Sequence, residues 1–194
     1  MRRTLVLAAV ACALIVGCIL NGEEPEWKPV EPERMSQTVV KQRHEAEGAK
    51  EVLFANLART LQVSIREKGV ENAIGVCRAE APRIAAEIAK ERDLKIGRTS
   101  FKLRNPENAP PAWAEPLIAK RVESPRFLQG PDGELAALFP IRLKASCMTC
   151  HGLEATVDPK IREKIAEAYP EDRAMGFSAN ELRGWFWIEV PRRN

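Results

Sequence analysis

The run Cys147-Met148-Thr149-Cys150-His151 restricts this chain more than any other feature. Two thiols three positions apart with an imidazole directly behind them suit a small set of chemistries. Covalent haem attachment needs this spacing: the thiols add to two vinyl groups along one porphyrin edge, and the adjacent imidazole reaches the iron. A fold that accepts the motif must therefore leave a slot for a flat macrocycle beside it. A structural zinc site would want a second ligand pair, and outside the motif and the N-terminal segment only Cys77 and His44 remain. A thioredoxin-like dithiol belongs at a helix start within a parallel βαβ unit, and no such unit is readable. The motif thus predicts one covalent haem c on Cys147 and Cys150, with His151 as one axial ligand.

Haem of this type is attached outside the cytoplasm, and the N-terminus agrees. Met1-Arg2-Arg3 is followed by an apolar run over residues 5–16, too short to span a bilayer comfortably. It ends in Leu14-Ile15-Val16-Gly17-Cys18, which is similar to a bacterial lipobox. The expected organisation is a lipoprotein-type signal peptide (1–17), a lipid-anchored Pro/Glu-rich tether from Cys18 (18–35) and one domain (36–194). The tether reading rests on residues 21–33, where Pro25, Pro29 and Pro32 alternate with glutamates. The expected location is the periplasmic side of the cell envelope. A net charge of +3, with acids and bases interleaved, argues against a nucleic-acid partner.

Residues 36–68 hold no proline, and Ala46, Ala49, Leu53, Leu57, Leu61 and Ile65 fall on one stripe, which predicts a long amphipathic helix stopped by Gly69. Short helices are expected over 71–79 and from Pro82 to Glu91. Thr99, Phe101 and Leu103 alternate with charged and polar neighbours, which predicts a strand over 98–104. The prolines of 105–116 predict a loop around Trp113. Residues 126–129 and 134–143 flank Gly130-Pro131-Asp132-Gly133 and read as a hairpin. A helix over 161–168 and a strand over 184–190 complete an α+β class.

The second axial ligand is drawn from His, Cys, Met or Tyr. Met148 lies inside the attachment loop, Met35 at the end of the tether, and His44 opposite the apolar stripe. Tyr169 reads as a packing residue. Cys77, following Ile74 and Val76 on a helix, and Met175, in a Gly-flanked loop, remain, and residue type does not separate them. Arg98 and Arg104 read either as a solvated basic edge or as arginine forks for haem propionates.

Four segments then resemble a known family. They are Val76-Cys77-Arg78-Ala79-Glu80-Ala81-Pro82, the stretch from Gly97-Arg98-Thr99 through Asn105-Pro106-Glu107-Asn108-Ala109-Pro110, the haem motif, and Tyr169 through Phe177 ending in Leu182-Arg183-Gly184. Together they are similar to c-type haem proteins built on a PAS-like domain, which occur alone or as extracytoplasmic sensor regions of signalling proteins. The resemblance covers roughly residues 37–191. It implies haem between sheet and helices, with His151 on one face and Cys77 on the other, and Met175 in a loop near the haem. The last strand departs from the family pattern: Trp185-Phe186-Trp187 is bulkier there.

A thiolate ligand stabilises ferric iron, so a low reduction potential is expected. The function implied is a redox or diatomic-gas sensor with a signalling or redox partner in the envelope and the membrane reached through lipid. The alternative is a low-potential electron carrier, and a haem peroxidase is disfavoured by the filled sixth position.

Overall fold

Ser36 opens the long helix. Its hydroxyl accepts a hydrogen bond from the Val39 N–H (3.3 Å), and α1 (Gln37–Lys68) then runs unbroken to Gly69 at φ +82°. The computed structural model describes residues 26–193. Ala46, Ala49 and Leu53 of the apolar stripe are buried, and Leu57 packs beside them. The stripe leaves the core by Ile65, and the last turns lie against α2 (Val70–Gly75). His44 sits exposed on the outer face, as its offset from the stripe implies.

The sheet is antiparallel throughout, in the order β1 (Lys28–Pro29), β3 (Arg126–Gln129), β4 (Leu135–Arg142), β5 (Leu182–Val190) and β2 (Lys95–Thr99). β3 and β4 form the expected hairpin. Gly130 N–H donates to the Glu134 carbonyl (3.0 Å), and Gly133 takes φ +81°, which a side chain would resist. On β5, Phe186, Ile188 and Val190 face α1 and α3 (Ala81–Arg92), whereas Trp185 faces Trp113, Ile118 and Leu138 on the other side. The sheet is thus covered on one face by the two helices and on the other by a proline-rich segment ending in α4 (Glu115–Ala119). The architecture is α+β and PAS-like.

Two expectations are corrected. The strand expected over 98–104 ends at Thr99, because Ser100 breaks it. The Ser100 hydroxyl donates to the Arg183 carbonyl (2.6 Å) and accepts from Lys102 N–H (2.9 Å), which turns the chain away. Arg98 and Arg104 therefore do not share a strand. Within the segment read as a tether, residues 27–30 are docked on the sheet rather than free. Lys28 and Pro29 pair with Gln129 and Leu128, Val30 N–H donates to the Phe127 carbonyl (2.9 Å), and Trp27 meets Trp113 at a centroid distance of 5.8 Å. The physical reason is the otherwise open edge of β3, and a proline is tolerated on such an outer strand. The expected signal peptide, Cys18 and the first part of the expected tether lie outside the described residues. Among the described residues no helix is long and apolar enough to cross a membrane.

Candidate haem site

The motif sits where β4 leaves the sheet. Leu143 N–H donates to the Glu181 carbonyl (3.1 Å) and Asn180 N–H to the Leu143 carbonyl (2.7 Å), which fixes the exit point. A 3₁₀ turn (Ala145–Cys147) then runs into α5 (Met148–His151). Cys147 and Cys150 are free, half-buried thiols. Cys147 packs with Leu143, Ala174 and Phe177, while Cys150 packs with Ile74, Val157 and Tyr169. Burial pushes the Cys150 thiol up.

His151 is held on three sides. Its Nδ1 hydrogen is donated to the Ala174 carbonyl (2.7 Å), and its own carbonyl accepts from Phe177 N–H (3.0 Å). The Phe177 ring meets the imidazole edge-on at 6.4 Å and 83°. A carbonyl can only accept, so Nδ1 carries the proton and Nε2 keeps its lone pair. Burial, then the positive charges of Arg104 and Arg183, depresses the pKa to about 3, and the ring is neutral. A neutral imidazole anchored through Nδ1 is the form that ligates a metal through the other nitrogen.

Cys77 lies in a π-helical turn (Val76–Glu80) between α2 and α3. Such turns add a residue to a helix and re-aim the side chains within it, and they recur at functional positions. The thiol is free and half-buried. Ile74, three residues before Cys77, packs in one apolar cluster with Tyr169 and Cys150, which brings the Cys77 turn close to the motif. Burial, with Cys77 next, pushes the Tyr169 phenol up to about 12 and keeps it neutral.

The two arginines singled out in the sequence have different surroundings. Arg98 opens onto a cavity of about 260 Å³ walled by Ala81, Ala85, Ile96 and Trp187. Burial lowers its pKa, and among the described residues it has no hydrogen-bond partner. Arg104 is neither on a basic strand edge nor unpartnered. Its fork engages Asp172 (3.1 and 3.2 Å) and its Nη2 also reaches the Cys150 carbonyl (2.7 Å). Met175 belongs to the segment behind His151, with its carbonyl accepting from Lys102 Nζ (3.2 Å).

Sequence reasoning missed Asp172, Arg183 and the Ala174 carbonyl. Arg183 donates to Ser100 Oγ (2.6 Å) and the Lys102 carbonyl (2.9 Å), and burial lowers its pKa to about 10. Asp172 and Arg183 both stand in the segments that carry the family resemblance, and that was the available signal. A backbone carbonyl leaves no trace in a sequence.

The donor set fits a covalently held haem. It has two free thiols, a neutral imidazole with an open nitrogen, a third thiol on a neighbouring turn, and three guanidiniums (Arg98, Arg104 and Arg183) with a single buried carboxylate, Asp172, among them. That excess of buried positive charge calls for an anionic guest, and Arg98 is the member without a protein partner. No group of three or more His, Cys, Asp or Glu side chains that could hold a bare metal ion occurs among the described residues.

A family model described as Tll0287-like matches residues 31–191. The chain belongs to the Tll0287-like family. All four segments that carried the resemblance to c-type haem proteins fall inside the match. Among solved structures, the Tll0287-like domain is similar to the crystal structure of the cyanobacterial heme-protein Tll0287. The TM-score is 0.55 and the identity 26%, over 85% of this chain and 99% of that one. Comparison with curated proteins returns no match.

Proposed function

We propose that the domain holds one covalent haem c through Cys147 and Cys150, with His151 and Cys77 as axial ligands. We further propose that it serves in the cell envelope as a redox or diatomic-gas sensor anchored by lipid on Cys18. The observation that carries this reading is the His151–Ala174 hydrogen bond, which leaves Nε2 free to ligate. The haem protein Tll0287 adds support through its similarity over most of both chains. Bound haem would supply reversible one-electron chemistry and, with an axial position open, a site for a diatomic molecule.

The polypeptide's own contributions follow from its residues. Cys147 and Cys150 fix the macrocycle edge, Ala174 orients His151, and the neutral Tyr169 and the apolar cluster around Ile74 exclude water. Arg98 is the proposed propionate partner, supported by its unengaged guanidinium at the cavity. Cys77 is favoured over Met175 because the resemblance to PAS-like c-type haem proteins matches Cys77 to the position of that family's cysteine ligand.

A low-potential electron carrier is the second reading. Leu153, 55% exposed two residues beyond His151, favours it by offering an apolar contact beside the motif. A peroxidase is disfavoured, since His44, the one histidine besides His151, is exposed on α1.

Electron paramagnetic resonance of the ferric protein beside Cys77→Ala and Met175→Ala tests the ligand pair. Thiolate signals should vanish only with Cys77, and their survival in Cys77→Ala would overturn the assignment. Spectra of the reduced protein with carbon monoxide separate the functions. Binding with loss of the Cys77 ligand supports the sensor, and an unaltered six-coordinate spectrum supports the carrier.

A further inference from the structure

Arg104 and Asp172 come from different loops and meet behind the motif histidine, with side chains only 10% and 8% exposed. Burying two charges is costly, and such a pair adds little net stability over an apolar replacement. Its value must therefore lie in what it positions. Asp172 Oδ1 accepts from the Arg104 Nε (3.1 Å) and also from the Ala174 N–H (2.8 Å). Arg104 Nη2 donates to the Cys150 carbonyl (2.7 Å) and, at longer range, to the Ala174 carbonyl (3.4 Å). The pair thus ties α5 to the segment that follows Asp172. That same segment receives Nδ1 of His151 on Ala174 and donates Gly176 N–H to the Gly152 carbonyl (2.9 Å) and Phe177 N–H to the His151 carbonyl (3.0 Å).

We propose that Arg104 and Asp172 form a latch that fixes the orientation of the His151 imidazole, so both are positioning residues for an axial ligand. The proposal rests on the haem reading above. Among the described residues the ring makes one hydrogen bond, to a carbonyl on a short irregular segment. Without the latch that carbonyl would keep only the backbone bonds of its neighbours Arg173, Gly176 and Phe177, and the imidazole would loosen with it. Lysine cannot substitute for Arg104, because one ammonium does not span Asp172 and the Cys150 carbonyl with a planar fork.

The test compares the haem-loaded wild type with Arg104→Lys, Arg104→Gln, Asp172→Asn and the Arg104→Gln/Asp172→Asn double variant. Amide exchange at Gly176 and Phe177 reads the segment directly, with Ile188 in β5 as the unaffected reference. The high-spin fraction of ferric iron reads His151. Both should rise about tenfold in every single variant, the range usual for partners that orient a metal ligand. The double variant should be no worse than either single, as expected for two halves of one device. Arg104→Lys keeps the charge balance, so a folded variant is at hand. Wild-type behaviour of Arg104→Lys, or loosened amides with an unchanged high-spin fraction, would overturn the latch. A wild-type protein without bound haem would sink the haem reading instead, and the exchange arm would still decide whether the pair holds this segment over His151.

Discussion

Gly97 and Trp187 face each other across the β2–β5 pairing, and the indole fills the space where any larger residue at 97 would put its β-carbon. That carbon would lie 2.5 Å from the ring. The bulk of the last strand is thereby distributed. Trp185 turns to the sheet face away from the helices and donates to the Val122 carbonyl (2.8 Å), Phe186 enters the core, and only Trp187 walls the Arg98 cavity. Gly97→Ala should displace the indole and cost about 1–3 kcal/mol as an overpacking change. Gly97→Ala/Trp187→Ala should recover part of that loss, and a thermal-melt cycle across the four proteins measures the coupling.

Gln42 offers a test of the fold remote from the site. Its Nε2 lies 3.1–3.2 Å from the carbonyls of Gly133, Val190 and Pro191, stapling α1 to the hairpin turn and to the end of β5. Gln42→Leu leaves those acceptors without their donor and should cost about 1–3 kcal/mol. Denaturant titration measures the loss. The ferric absorption spectrum should stay that of the wild type, because none of these groups approaches His151.

What could be read from sequence followed from how local each determinant is. The grouping of Cys147, Cys150 and His151 is legible because all three stand within five residues. The long helix is legible because Ser36, Gly69 and the stripe through Leu53 each act within a few turns. The Arg104–Asp172 pair was not legible, since its partners are 68 positions apart and two of its acceptors are backbone carbonyls. The docking of Trp27 to Val30 was hidden for a related reason. It depends on an open strand edge a hundred residues downstream, while the local composition speaks only for an extended chain.

The proposed covalent attachment can be tested one thiol at a time. Cys147→Ser and Cys150→Ser should each leave one thioether, so haem stays with the polypeptide through acid–acetone extraction but with a shifted pyridine haemochrome band. The double variant should release its haem to the solvent phase. Retention of haem by the double variant would exclude thioether attachment at these residues.

Arg98 allows a prediction whose sign is fixed by charge. A guanidinium near iron disfavours the ferric state, which carries one more positive charge than the ferrous. Removing it should therefore lower the midpoint potential, and freeing a propionate from its partner acts in the same direction. At a separation of roughly 10 Å and an effective dielectric of about 20, the interaction is about 1–2 kcal/mol, or roughly 40–90 mV on a one-electron couple. Arg98→Met should show that fall in a spectroelectrochemical titration, while Arg98→Lys, which keeps the charge, should show only a small part of it. A potential unmoved by Arg98→Met would mean that the guanidinium serves some other anion, and the cavity beside Trp187 would then not be the propionate end of the site.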